Sequence, residues 1–192
     1  MIDEHKWRQG LSFPYIMKDT MGKRRYINEY DNWENIKHNP DWHPEGKHTL
    51  RCHIEAAMDM AQEISGGLNF PFINLLFDCV LFHDIGKPST RKMNEKTGFN
   101  SFIMHEKIGA EIFREKYAHL FDKEAADVIE WCIREHTNWW NVMKHGKSLA
   151  IREHPAYELL SYLCLSDKMG YKNKEWTERR AHFENVRGVS DE

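Results

Sequence analysis

The sequence predicts an all-α fold, and three observations carry that prediction. The stretch Phe72-Ile73-Asn74-Leu75-Leu76-Phe77-Asp78-Cys79-Val80-Leu81-Phe82 is apolar on nearly every side, which reads as a helix buried at the centre of the domain. Four further segments repeat apolar residues at the three-and-four spacing of one buried stripe. Every one of the five brings a His or an Asp to its inward face or buried end.

Residues 1–45 are aromatic-rich and weakly periodic, and read as an extension packed on the core. Within them Phe13-Pro14-Tyr15-Ile16-Met17 and Arg25-Tyr26-Ile27 flank a polar stretch, Lys18 to Lys23, as a candidate short hairpin. Trp33, Pro40, Trp42 and Pro44 suggest an extended strap. The helical domain is expected over residues 46–188. From about Thr49, Ala57, Met60, Ala61 and Ile64 form a stripe ended by Gly66-Gly67, and traced backwards the stripe lands on His53. His48 falls with Cys52, Glu55 and Asp59 on a more polar face. The central helix leads into His83-Asp84, where Gly86 is placed for a left-handed terminus and Pro88 stops the coil. Residues 89–101 read as a polar loop. His105 opens the next helix and shares a face with Ile108 and Ile112. Asp122 is placed to cap a helix whose stripe runs Val128, Ile129, Cys132, Ile133 and His136. A helix over about 156–168 puts Leu160, Leu163 and Cys164 in line with Asp167. One more amphipathic helix is expected over residues 176–186.

Composition narrows the function. Of 192 residues 41% are hydrophobic and 30% charged, as in a globular protein with one good-sized core. A net charge of −3 leaves no basic footprint for duplex nucleic acid. The 4 cysteines (Cys52, Cys79, Cys132 and Cys164) are far apart with no CxxC pair, so free thiols in a reducing cytoplasm are expected rather than disulfides. No apolar leader opens the chain, and its longest apolar run is too short to span a bilayer.

The inward set is His53, His83, Asp84, His105, His136 and Asp167. One core histidine is usually just a hydrogen-bonded core histidine. Four imidazoles and two carboxylates are harder to bury, because each must be desolvated and satisfied. Shared divalent cations would satisfy all six. Six ligands exceed a closed tetrahedral site and suit two octahedral ions bridged by a carboxylate, with Fe, Mn, Mg, Co, Ni and Zn undistinguished.

In this order the residues resemble the HD-domain metal-dependent phosphohydrolase superfamily. His83-Asp84-Ile85-Gly86-Lys87-Pro88-Ser89-Thr90-Arg91 and His105-Glu106-Lys107-Ile108-Gly109-Ala110-Glu111 are similar to blocks of the HD domain attached to bacterial tRNA nucleotidyltransferases. Arg134-Glu135-His136 and Ser166-Asp167-Lys168 match two more, so the likeness covers about residues 42–170. The resemblance implies an HD-type helical bundle around a metal centre. The chain has no room for a nucleotidyltransferase domain, so nucleotide addition is not expected. For the first ligand, His48-Thr49 imitates a His-Thr pair of those relatives, whereas the residues that follow fit better when counted from His53. With His53 as ligand, His48 faces substrate or supports the site.

The same resemblance implies hydrolysis of a nucleotide or of an RNA or DNA terminus by metal-activated water. Asp84 would bridge the ions and orient the water. Lys87 would offset phosphate charge, or else simply sit as a cation near a helix C-terminus. Arg91 and Lys107 are further phosphate-binding candidates, with plain surface charge as the alternative. Trp139 could stack a base at the pocket rim or anchor a loop to the core. Two other functions use the same residues: a di-iron oxygenase of the HD fold, and a non-catalytic regulatory module stabilised by its metal.

Overall fold

Five long helices make up most of the residues that this computed structural model describes, namely 16–18, 24–26, 33–38, 49–66, 70–145 and 149–169. The first, α1 (Leu50–Ile64), starts where Thr49 turns extended and its hydroxyl accepts the Cys52 N–H at 3.3 Å. Its buried stripe holds His53 and Ile54, then Ala57, Met58 and Ala61. Small residues there let α1 lie close to its neighbours. Helix α2 (Phe70–Phe82) begins slightly before the expected run. It touches α1 and the two helices named below as α5 and α7, which accounts for its apolar girth.

Beyond α2 come the single-turn α3 (Lys87–Thr90) and two antiparallel strands, β3 (Lys92–Asn94) and β4 (Phe99–Ser101). An earlier hairpin pairs β1 (Ile16–Lys18) with β2 (Arg24–Tyr26), with Met17 opposite Arg25. Helix α4 (His105–Lys116) opens on His105. Helix α5 (Lys123–His145) is capped by Asp122, whose carboxylate accepts the Ala125 N–H at 2.8 Å. A short α6 (Leu149–Arg152) leads to α7 (Tyr157–Met169). One apolar cluster runs through Ile54, Leu76, Phe82, Phe113, Ile129, Ile133 and Leu160, all fully buried. Trp33 and Ile36, from the segment before α1, are part of it.

Three local expectations are corrected. Gly86 is right-handed, at φ −80°. It is glycine because a Cβ there would lie 2.1 Å from the His105 carbonyl oxygen and 2.6 Å from the Gly109 nitrogen. Pro88 stops nothing; it sits in the first turn of α3, where a missing N–H costs nothing. Residues 89–101 are not a plain loop. Gly98, at φ +72°, and Asn94 close the β3–β4 turn, with the Gly98 N–H donating to the Asn94 carbonyl at 2.8 Å. One strand is exposed and the other half-buried throughout, so both lack the in-out alternation that reveals a strand in sequence. His154 is half-buried and stacks on Trp131 at 3.7 Å. The helix expected over residues 176–186 lies outside the described residues.

Substituting Gly86→Ala should cost about 3 kcal/mol or more, since only backbone can move aside; Gly109→Ala, with its nearest contact at 3.1 Å, should cost less. Urea unfolding of the two variants measures the difference. A second expectation concerns α2. Burial pushes the half-buried Asp78 carboxyl up to about 7. The native chain then holds a proton that the unfolded chain has released, so stability falls as pH rises from about 4 to 7. Asp78→Asn should remove that slope, gaining about 1–2 kcal/mol at pH 8 after allowance for solvent screening, and nothing near pH 4. Denaturant midpoints at pH 4 and 8 check it.

Candidate metal centre

The turn that ends α2 presents two adjacent ionisable groups to the interior. His83 is 0% and Asp84 1% exposed. Backbone bonds from Ile85 N–H to Phe82 and from Lys87 N–H to Asp84 tighten this turn. Gly86 then lets the first turn of α4 lie directly on it, which brings His105 beside Asp84. His53 comes from α1, His136 from the middle of α5, and Asp167 from the last turns of α7.

Three of the imidazoles are held in the same way. The Nδ1–H groups of His83, His105 and His136 donate to the carbonyls of Val80, Phe102 and Ile133, each three residues back, at 2.7, 2.8 and 2.7 Å. That bond assigns the tautomer and turns Nε2, with its lone pair, toward the centre. The His136 carbonyl in turn accepts from the Cys164 thiol at 3.3 Å.

Among the described residues, six side chains meet in two groups. His53, His83 and Asp167 form one, and Asp84, His105 and His136 the other; within each, the ligand atoms lie inside 4.8 Å of one another. His53 Nε2 is 3.1 Å from Asp167 Oδ1 and 3.2 Å from His83 Nε2. His105 Nε2 is 3.2 Å from His136 Nε2. Asp84 joins the groups. Its Oδ2 faces His53 at 3.0 Å and His83 at 3.3 Å, while Oδ1 faces His105 at 3.3 Å and His136 at 3.8 Å.

This arrangement fits cations. Both Asp84 oxygens are buried and neither receives a well-aligned hydrogen bond, although the Lys87 ammonium pairs with Oδ2 at 2.6 Å. In the tautomer imposed on His105 and His136, two lone pairs face each other at 3.2 Å, which is repulsive unless something positive lies between. Two imidazole nitrogens and one carboxylate oxygen in each group are donors suited to first-row divalent ions. The electrostatics are those of a centre short of positive charge: burial lowers the His83 pKa, but Asp84 and Asp167 outweigh it and raise it, so without a metal ion His83 tends to hold a proton that an ion would displace. Burial, reinforced by His105 and His83, pushes His136 down to about 3, so it stays neutral and able to ligate. Burial raises Asp84, yet His83, Lys87, His105 and His53 outweigh it and hold the carboxyl well below its usual range. Asp167 is lowered too, because His53, His83 and Lys168 together exceed the cost of burial.

Lys87 belongs to the same cluster, its ammonium 2.6 Å from Asp84 Oδ2 and 5.5 Å above the Phe102 ring. Arg91 is exposed and donates from Nε to Asn100 on β4 at 3.1 Å. Lys107 is exposed on α4. His48 lies outside the described residues. Trp139 corrects the expectation of a stacking platform. It is 2% exposed inside the long α5, and its indole N–H donates to Ser161 at 3.0 Å. The helix simply continues past His136, and Trp139 is turned into the core against α7. One buried residue escaped the sequence reading. His38, 2% exposed, stands edge-on to His53 with ring centroids 5.5 Å apart. It precedes the helical pattern, so no periodicity marks it as inward.

Comparison with known proteins agrees with this geometry. Residues 50–172 match the model of the HD domain, which covers well over half of the chain. The chain belongs to the HD-domain family. This places it among metal-dependent phosphohydrolases and their relatives, with two His/Asp groups that could hold the metal. The chain is also 31% identical, over 99 residues, to the CC-adding tRNA nucleotidyltransferase of Thermus thermophilus. That match takes in 50% of this chain and 22% of the relative. No described helix is long and apolar enough to cross a membrane.

Saturating Mn²⁺ or Co²⁺ should stabilise the protein, by about 2.7 kcal/mol for each bound ion at a hundredfold excess over its Kd. In thermal unfolding, Asp84→Ala should abolish the response, because both groups lose an oxygen. His105→Ala should leave part of it.

Proposed function

We propose that this HD-domain protein hydrolyses a phosphoester of a nucleotide or of a nucleic-acid end, with two divalent cations held by His53, His83, Asp84, His105, His136 and Asp167. The observation that carries the reading is Asp84, one carboxylate oxygen turned to each ligand group and an ammonium beside it. Bound cations would supply Lewis-acid polarisation of a phosphoryl oxygen and make water easier to deprotonate.

The chain's own residues do the rest. Asp84 stays ionised at neutral pH, so it can orient a water by accepting its hydrogen. Lys87 Nζ donates toward the same place and would pair with a non-bridging phosphate oxygen as negative charge builds in the transition state. Phe102 under the ammonium limits its hydration, which strengthens that interaction. Arg91 and Lys107 are candidates to hold more distant phosphates, and His48 remains a candidate substrate contact. The nucleotide preference draws support from the likeness to a tRNA nucleotidyltransferase, and a net charge of −3 does not favour binding to duplexes.

The test is a screen of nucleoside mono-, di- and triphosphates, cyclic phosphates and dinucleotides with Mn²⁺, Fe²⁺, Co²⁺, Ni²⁺ and Mg²⁺. Turnover of at least one substrate is expected, and His83→Ala with Asp84→Ala should abolish it. Lys87→Met should lower kcat about 10²-fold with metal content unchanged. Unaltered turnover in the Asp84 variant would overturn the assignment. Consumption of dioxygen by the iron-loaded protein without phosphate release would replace hydrolysis with oxygen chemistry.

A further inference from the structure

His38 lies outside the HD match and outside both ligand groups, yet it is among the most buried polar residues of the domain. Its place is set by the backbone. The segment 33–38 is fastened to the first turn of α1: the Leu50 N–H donates to the Ile36 carbonyl at 2.9 Å, and Lys37 forms an isolated antiparallel bridge with Thr49. Trp33 and Ile36 sink into the core on either side of this seam, and Arg51 of α1 lies over the Trp33 ring at 5.7 Å. The next side chain that can turn inward is His38, and it lands on His53.

The contacts there are directional. His38 meets the His53 ring at 5.5 Å with an interplanar angle of 64°, and the Phe102 ring at 5.2 Å with 72°. Phe102 in turn supports Lys87 through its ring and His105 through its carbonyl. His53 sits one turn into α1, and its own flank is closed by a residue from fifteen positions earlier in the chain. We propose that His38 is a positioning residue for His53, wedging the imidazole into the orientation that the group His53, His83 and Asp167 requires, and leaving the group Asp84, His105 and His136 largely untouched. The wedge acts through its flat aromatic edge. An aliphatic side chain of similar volume would keep the core filled and lose the orientation.

This inference rests on the two-cation reading, and the experiment separates the failure of one from the failure of the other. Metal-free wild type, His38→Leu, His38→Phe, His53→Ala and the double variant His38→Leu/His53→Ala are titrated with Co²⁺ against a competing chelator, and thermal unfolding without metal records whether each is folded. Wild type should take up two ions. His38→Leu should weaken one of them by about 10-fold or more, the size of effect found when a residue supporting a ligand is lost, and leave the other as it was. His38→Phe should restore the weakened ion. In the double variant the His38 effect should vanish, because the group it acts on is already gone. Wild type taking up fewer than two ions would refute the two-cation reading itself. Two ions in wild type with His38→Leu unchanged, with both ions weakened alike, with no rescue by Phe, or with additive effects in the double variant would each overturn the role of His38.

Discussion

A single carboxylate placed where it cannot be satisfied by the protein alone governs this structure. Asp84 is fully buried, and neither oxygen has a hydrogen-bond donor in line. Without a metal ion the site combines a desolvated anion, offset only by the Lys87 ammonium, with imidazole lone pairs forced together, which is unfavourable. The helices nonetheless converge on it from four directions. Their packing is therefore adapted to a state in which positive charge fills the gap, and Lys87 contributes only part of that charge. Cation binding at this residue would be coupled to folding.

The convergence is possible because of how the side chains are backed. Each of three imidazoles gives its outer N–H to a carbonyl of its own helix or turn, so the ring direction is settled locally before distant elements meet. Long-range assembly then has only to bring preset groups into register. The tight contact of Gly86 with His105 and Gly109 does this for one side. The α1–α7 and α2–α7 contacts do it for the other, where Asp167 completes the set.

Much of this was legible in sequence, for a physical reason. A ligand on a helix shares its face with apolar residues, so His53, His136 and Asp167 are found by following stripes at helical spacing. His83-Asp84 is marked by the apolar run that ends on it. The same reasoning could not see what lacks a period. Gly86 reads as a helix terminator, because a close approach between two backbones leaves the same letter in the sequence as a left-handed turn. The β3–β4 hairpin, exposed on most of its residues, has no alternation to betray it. Trp139 lies three residues beyond His136 on a helix that does not end there, so its inward direction follows from the length of α5, which periodicity at the helix start does not set.

The two ligand groups are built unequally, and this bears on how the site can be tuned. His53, His83 and Asp167 come from α1, the end of α2 and α7, which pack on one another throughout the core. His105 instead comes from the first residue of α4, preceded by Met104 at φ +65°, a strained geometry for a side chain with a Cβ. Ile103 and Met104 are exposed beside it, at 74% and 49%. The left-handed Met104 and the exposed residues beside the half-buried His105 tie that ligand's direction to the β3–β4 side of the centre. Changes to that loop would act first on His105, and through it on one side of Asp84, while the half rooted in α1, α2 and α7 keeps its geometry.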